Sequence, residues 1–205
     1  MKVVSLLAVV DADKCNGCNI CESVCPVLAI TRVNRKAIVD EPRCSGCAAC
    51  EQRCPNYAVT MVKRAQPYLV KADVEAVDYA RVVALCKKAR LNPEQLVCYC
   101  TATRAEEAAA AILQGANSPE EVSRRTGVRT GCKVECIQPV LRLLEAAGIT
   151  PERPKGWQWY GRTPTAWDIP EDVREKYSKR GFYFQEDLEL LDSIVDAPLQ
   201  GRSAD

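Results

Sequence analysis

Eight cysteines fall in two runs of one pattern, Cys15-x-x-Cys18-x-x-Cys21-x-x-x-Cys25-Pro26 and, 29 residues later, Cys44-x-x-Cys47-x-x-Cys50-x-x-x-Cys54-Pro55. A [4Fe-4S] cluster needs one thiolate for each iron, and three cysteines at this spacing wrap one loop around three of its corners. The fourth ligand comes from elsewhere: in runs of this type the cysteine before proline ligates the other cluster. The spacing therefore predicts one [4Fe-4S] cluster on Cys15, Cys18, Cys21 and Cys54, and a second on Cys25, Cys44, Cys47 and Cys50. Zinc ribbons use paired C-x2-C units, which leaves the third cysteine and the Cys-Pro of each run unexplained. Disulfides fit poorly with an odd total of 13 cysteines and no visible export signal.

The elements that must position these runs are short. Val3 to Val10 reads as an edge strand, turned by Asp11 to Cys15 into the first loop. Val27-Leu28-Ala29-Ile30 and Asn56-Tyr57-Ala58-Val59 follow the two prolines, so the repeat extends into an apolar shell and the segment is a duplicated half-domain. Residues 30–33 and 37–39 alternate across Asn34-Arg35-Lys36 as a β-hairpin, and Thr60 to Lys63 is expected to pair back with the first strand. On these residues the segment 1–64 resembles a bacterial-type two-[4Fe-4S] ferredoxin. Lys14, Arg43 and Arg53 each precede a ligand cysteine, either as cations favouring the reduced cluster or as solvated surface charge.

A second constellation is Cys98-Tyr99-Cys100 with Cys132-x-x-x-Cys136. Between the pairs, Thr103 to Gly115 is rich in the best helix formers. Ser118-Pro119-Glu120-Glu121 has the form of a capping box with proline at the first helical position, and Ile137 to Ala147 is an amphipathic helix stopped by Gly148. Four thiolates at helix starts and loops can converge at one end of such a module. Upstream, residues 65–97 read as a helical linker, with a break at Gln66-Pro67 and a helix capped by Asp73 that runs to about Ala89. Cys86 in that helix is a small buried hydrophobe or a spare metal ligand. The stretch of about residues 86–148 resembles the [2Fe-2S] module of bacterioferritin-associated ferredoxin, also found in nitrite reductases and in opine and glycerol oxidising flavoenzymes. Cys98, Cys100, Cys132 and Cys136 then hold the cluster, with Thr126-Gly127 and Thr130-Gly131 in matching context. The second pair is C-x3-C where that family has C-x-x-C, so a [2Fe-2S] cluster, another cluster that recruits Cys86, and a four-thiolate zinc site all stay open.

Composition narrows the function classes. With no histidine, Rieske ligation, H-E-x-x-H and Ser-His-Asp chemistry are excluded, and a net charge of +1 advertises neither nucleic acid nor membrane. Residues 119–132 sound like a DNA-binding helix-turn-helix through Arg124, Arg125 and Arg129, but no basic stripe accompanies them. No apolar run approaches the length of a membrane span, and the N-terminal segment is too short for a signal peptide, so a cytoplasmic location is expected. The tail from residue 151 to 205 is rich in aromatics, and Trp157, Trp159, Tyr160, Trp167, Phe182, Tyr183 and Phe184 read as a grip on a partner subunit, with wrapping over the chain's own modules as the alternative. The expected class is α+β: a ferredoxin-like domain 1–64, the linker 65–97, a helical iron-sulfur domain 98–150 and the extended, partly helical tail. The expected role is an iron-sulfur electron-transfer subunit, without catalysis of its own, joined to a flavin, NAD or molybdo/tungstopterin subunit. A flavoprotein is favoured by analogy with the enzymes that carry the second module. A free carrier serving several enzymes is the alternative.

Overall fold

In a computed structural model that describes residues 2–133, 135–153 and 161–201, eight helices accompany three two-stranded sheets. The mixed class expected from the sequence is what the described residues show.

Strand β1 (Lys2–Val10) pairs antiparallel with β4 (Val59–Val70), joining the two ends of the cysteine-rich segment. Strands β2 (Ile30–Val33) and β3 (Lys36–Val39) form the expected hairpin, with Asn34 and Arg35 both left-handed at its tip. Two short helices, α1 (Ile20–Ser23) and α2 (Ala49–Arg53), follow the cysteine loops. The core here packs Ala8, Val27, Ala29, Ile30 and Val59 against Cys21, Cys25, Cys44 and Cys50, so half of the predicted ligands are themselves core residues. The Gln66-Pro67 pair lies inside β4 and does not end it. Between Val4–Tyr68 and Leu6–Lys63, two steps on β1 are matched by five on β4, and this irregularity takes up a proline that has no N–H for the ladder. Residues 65–70 are therefore strand and not helix.

The second core unites α3 (Tyr79–Lys88), α4 (Ala105–Leu113), α5 (Pro119–Thr126) and α6 (Ile137–Ala146), with the short ladder of β5 (Leu96–Cys98) and β6 (Thr103–Arg104) at one end. Helix α4 is the hub: Ala105 and Ala108 to Ala111 are fully buried, and their small side chains let α3, α5 and α6 all approach it. The cap of α3 is Asp78, whose carboxylate accepts from the Ala80 amide at 3.0 Å, five residues later than the Asp73 cap read from the sequence. Asp73 instead accepts from the Glu75 amide in a turn. Ser118 caps α5 by accepting from Glu121 N, whereas the Glu121 carboxylate takes the Asn117 amide, one residue ahead of the cap, so only half of the reciprocal box forms. Cys86 is fully buried among these helices, and burial pushes its thiol up to about 12, as suits an inert core residue.

Arg129 and Glu120 form a buried ion pair at 3.0 Å, and Arg125 donates to the Gln114 carbonyl. Two of the three arginines behind the DNA-binding reading are thus engaged within the chain, Arg129 in its interior. Removing one partner of a buried pair strands the other charge at a cost of about 3–5 kcal/mol. Glu120→Ala is accordingly expected to lower the melting temperature of the helical unit sharply, measured by circular dichroism, while Arg124→Ala on the same helix changes it little.

The described part of the tail has a 3-10 turn (Ala166–Asp168), α7 (Glu171–Ser178) and α8 (Phe184–Val195). It lies on the chain's own helices. Trp167 donates its indole N–H to Asp192 at 2.9 Å and stands 5.8 Å from the guanidinium groups of both Arg90 and Arg142. Asn92 donates to the Ala197 carbonyl, and the Glu94 carboxylate accepts from the Gln200 and Gly201 amides. Trp167 is therefore held within the chain rather than offered to a partner, because Asp192 meets the need of its half-buried N–H. Phe182 and Tyr183 stay exposed, with Phe182 stacked on Phe184 at 5.6 Å and edge-on to Tyr177. Trp157, Trp159 and Tyr160 lie outside the described residues. Among the described residues no helix is long and apolar enough to cross a membrane.

Candidate iron-sulfur centres

The two cysteine runs build two cavities, and each cavity draws on both runs. One is lined by Cys15, Cys18 and Cys21 together with Cys54. The other is lined by Cys44, Cys47 and Cys50 together with Cys25. The exchange follows from the backbone: each run leaves its third cysteine on a one-turn helix and its fourth just beyond the turn, in the apolar core that the halves share. The repeat is visible residue by residue. Gly17 and Gly46, Asn19 and Ala48, and Leu28 and Tyr57 are each left-handed, and the members of each pair are 29 residues apart. At Gly46 a side chain would press on the Leu6 carbonyl at 2.7 Å, and at Gly17 it would run into the Arg35 carbonyl, so glycine is required on steric as well as conformational grounds.

Amide groups point at the sulfurs. Ala29 N–H donates to Cys25 Sγ and Ala58 N–H to Cys54 Sγ, both at 3.2 Å, the same contact in each repeat. The Ala37 amide, hydrogen-bonded to Cys15, holds that thiol below its ordinary value, and Gly17 N–H and Lys36 act in the same sense. Such donors favour thiolate and tune a cluster bound there. Burial differs between the cavities: Cys18 is exposed, whereas Cys25, Cys44 and Cys50 are buried. Burial beside Cys47, Cys25 and Cys44 pushes the Cys50 thiol up to about 12. Iron would replace those protons, and the four-thiol wall fits a cluster, which would supply one-electron chemistry there. Among the described residues no group of three or more Cys, Asp or Glu side chains is gathered as around a single metal ion.

The third set also comes together. Cys98, at the end of β5, shares a hydrogen bond with Cys136, the residue that leads into α6; the contact holds Cys98 below its ordinary value and pushes Cys136 up. Cys132 N–H donates to Cys100 Sγ at 3.4 Å. The Arg129 amide is directed at both Cys98 and Cys136, and the buried Arg129–Glu120 pair fixes the left-handed loop that presents it. Gly131 lies so close to Cys100 that a Cβ would stand 2.8 Å from its Sγ. Cys98 and Cys136 are buried, Cys100 and Cys132 exposed.

Cations do not sit where adjacency in sequence put them. Lys14 and Arg43 are tied to Asp11 and Asp40, three residues earlier, as exposed pairs at 3.2 and 3.3 Å. The lysines that reach the cysteine loops are Lys36, which donates to the Ala12 and Cys15 carbonyls, and Lys2 and Lys133 at the junction of the two cores. Arg64 on β4 donates to the Leu6, Glu41 and Cys44 carbonyls and stacks over Tyr68, locking the start of the second loop. Sequence pattern offers no signal for these contacts except the position of Lys133 beside a predicted ligand.

Residues 8–31 match the 4Fe-4S binding domain, and residues 96–146 match the BFD-like [2Fe-2S] binding domain. No curated protein and no solved structure matches the chain. The chain thus joins a ferredoxin-type [4Fe-4S] domain to a BFD-like [2Fe-2S] domain, and its cofactors are clusters of both kinds. Domains of these two kinds imply a role in electron transfer.

Proposed function

We propose that the chain is an electron-relay subunit of a multi-subunit oxidoreductase, passing single electrons between a flavin, NAD or molybdo/tungstopterin subunit and another redox protein. Two [4Fe-4S] clusters are assigned to Cys15, Cys18, Cys21 and Cys54 and to Cys25, Cys44, Cys47 and Cys50. One [2Fe-2S] cluster is assigned to Cys98, Cys100, Cys132 and Cys136. When bound, these clusters supply reversible one-electron chemistry; the protein orients them and excludes water.

The observation that carries the reading is the pattern of exposure. Cysteines are exposed at Cys18 in the first set and at Cys100 and Cys132 in the third, whereas Cys25, Cys44 and Cys50 of the second set are buried. A single-cluster carrier needs one exposed edge; two exposed ends with a covered station between them suit a relay with two partners. The exposed Phe182 and Tyr183, backed by Phe184, are the part of the aromatic tail left for a partner subunit, of which a flavoprotein fits the company the [2Fe-2S] module keeps.

Anaerobic metal analysis with EPR tests the cofactor assignment: about ten Fe and no Zn per chain are expected from two four-iron clusters and one two-iron cluster. About eight Fe with one Zn would remove the third cluster. Purification of the native protein tests the role, with a fixed-stoichiometry complex expected and a monomer that reduces several unrelated enzymes as the contrary result.

A further inference from the structure

Between the two cores lies a cavity lined by Val24, Pro26 and Cys47 on one side and by Arg129, Cys132 and Lys133 on the other. Lys133 crosses it. Its ammonium donates to the Val24 carbonyl at 3.0 Å, across 109 residues of sequence. Val24 immediately precedes Cys25, and Lys133 immediately follows Cys132, so a single hydrogen bond joins the neighbours of two candidate ligands from different sites. Lys133 is left-handed, φ 61°, and its side chain reaches the other core at Val24.

We propose that Lys133 is the cation that couples the second [4Fe-4S] site to the [2Fe-2S] site and raises the electron affinity of the former, so that the relay runs Cys15 site, Cys25 site, Cys98 site. The inference rests on the ligand assignment made above. With clusters bound, electrons would pass between the outer two sites through the buried one. Each transfer takes one electron from one site and delivers it to its neighbour, with no bond formed or broken and no proton moved.

The surroundings of Lys133 support this. Its ammonium holds the Val24 carbonyl, one residue before Cys25, and Cys47 lines the same cavity, so the charge lies beside the second site. From the opposite side Lys2 donates to Thr130 Oγ1 at 2.8 Å. The cation at the Cys15 site is a different one, Lys36, which holds the Cys15 carbonyl at 2.7 Å. A fixed positive charge favours the electron-richer state of a nearby cluster, and partial burial weakens the screening.

The experiment is a potentiometric EPR titration of the full chain, reconstituted anaerobically, as wild type, Lys133→Met, Lys133→Arg and Lys36→Met. In Lys133→Met one [4Fe-4S] couple is expected to fall by about tenfold in its reduction equilibrium, about 59 mV for one electron, with the other unmoved. Lys133→Arg should restore it, and Lys36→Met should move the other couple. No shift in Lys133→Met, or movement of the same couple by Lys133→Met and Lys36→Met, overturns the proposal. If Lys133→Met also loses the two-iron cluster, Cys98→Ser, which keeps the cation, is the reference. A lower couple in Lys133→Met than in Cys98→Ser supports the proposal, and equal potentials overturn it. Failure of the functional reading shows separately, as wild-type protein short of about ten Fe.

Discussion

Cys25→Ser, a change in the first cysteine run, is expected to damage the cluster of the second. Cys25 lines the cavity of Cys44, Cys47 and Cys50, and Cys47 and Cys44 are among the charges bearing on its thiol. Serine binds iron poorly beside three thiolates, and the site is buried, so no water-borne ligand substitutes readily. Roughly four of about ten irons per chain should be lost or labile, a fall of about 40%. The decisive reading is identity, not amount. The EPR spectrum of reduced Cys25→Ser should match that of Cys47→Ser and differ from that of Cys18→Ser, and Cys54→Ser should pair with Cys18→Ser. A Cys25→Ser spectrum that matches Cys18→Ser would mean that each run holds its own cluster, against the cavities described above.

The elements legible from sequence were those whose signal is local and periodic. Two identical cysteine spacings announce a duplication, and the alternation around Asn34-Arg35-Lys36 announces a hairpin; the fold keeps both. Helix α5 was equally plain from Ser118 and Pro119. Where two residues compete for one role, local pattern fails. Asp73 and Asp78 are both good caps, and only the packing of α3 on α4 and α6 selects the later one. Pro67 reads as a break because a proline in a paired strand forfeits a hydrogen bond, but an irregular stretch of ladder removes that penalty.

Contacts across the junction were illegible for a different reason. Lys2 meets Thr130, and Lys133 meets Val24, over separations of 128 and 109 residues, and nothing in the identity of a lysine tells which loop it will reach. Adjacency misleads here. Lys14 and Arg43 touch predicted ligands in sequence yet turn to aspartates three residues back, where a turn already places a carboxylate. Trp167 misleads in the same way, since an aromatic-rich segment has the composition of an interface whether the surface it covers belongs to a partner or to its own chain.

Gly131→Ala should cost the chain its [2Fe-2S] cluster while leaving both [4Fe-4S] clusters in place. The added methyl would run into Cys100, with its sulfur only 2.8 Å away, closer than side-chain carbons are found to such neighbours. Either Cys100 swings out or the 130–132 loop moves, and both break the Cys132 N–H contact to Cys100 Sγ. Overpacking of this kind costs about 1–3 kcal/mol where a core must absorb it. Gly131 and Cys100 are exposed, so the strain falls on ligand geometry rather than on the fold. The far-UV spectrum and melting temperature should therefore stay near wild type while about two irons per chain are lost. Gly148→Ala is the control: unlike Gly131 it is left-handed, and with open space where its Cβ would lie it meets only backbone strain at the end of α6. Glu120→Ala separates the two routes by which the third site can fail, because it removes the support of the Arg129 loop and should lower the melting temperature along with the iron. A Gly131→Ala protein that keeps its full two-iron signal would show that Cys100 does not hold the cluster from the position it occupies beside Gly131.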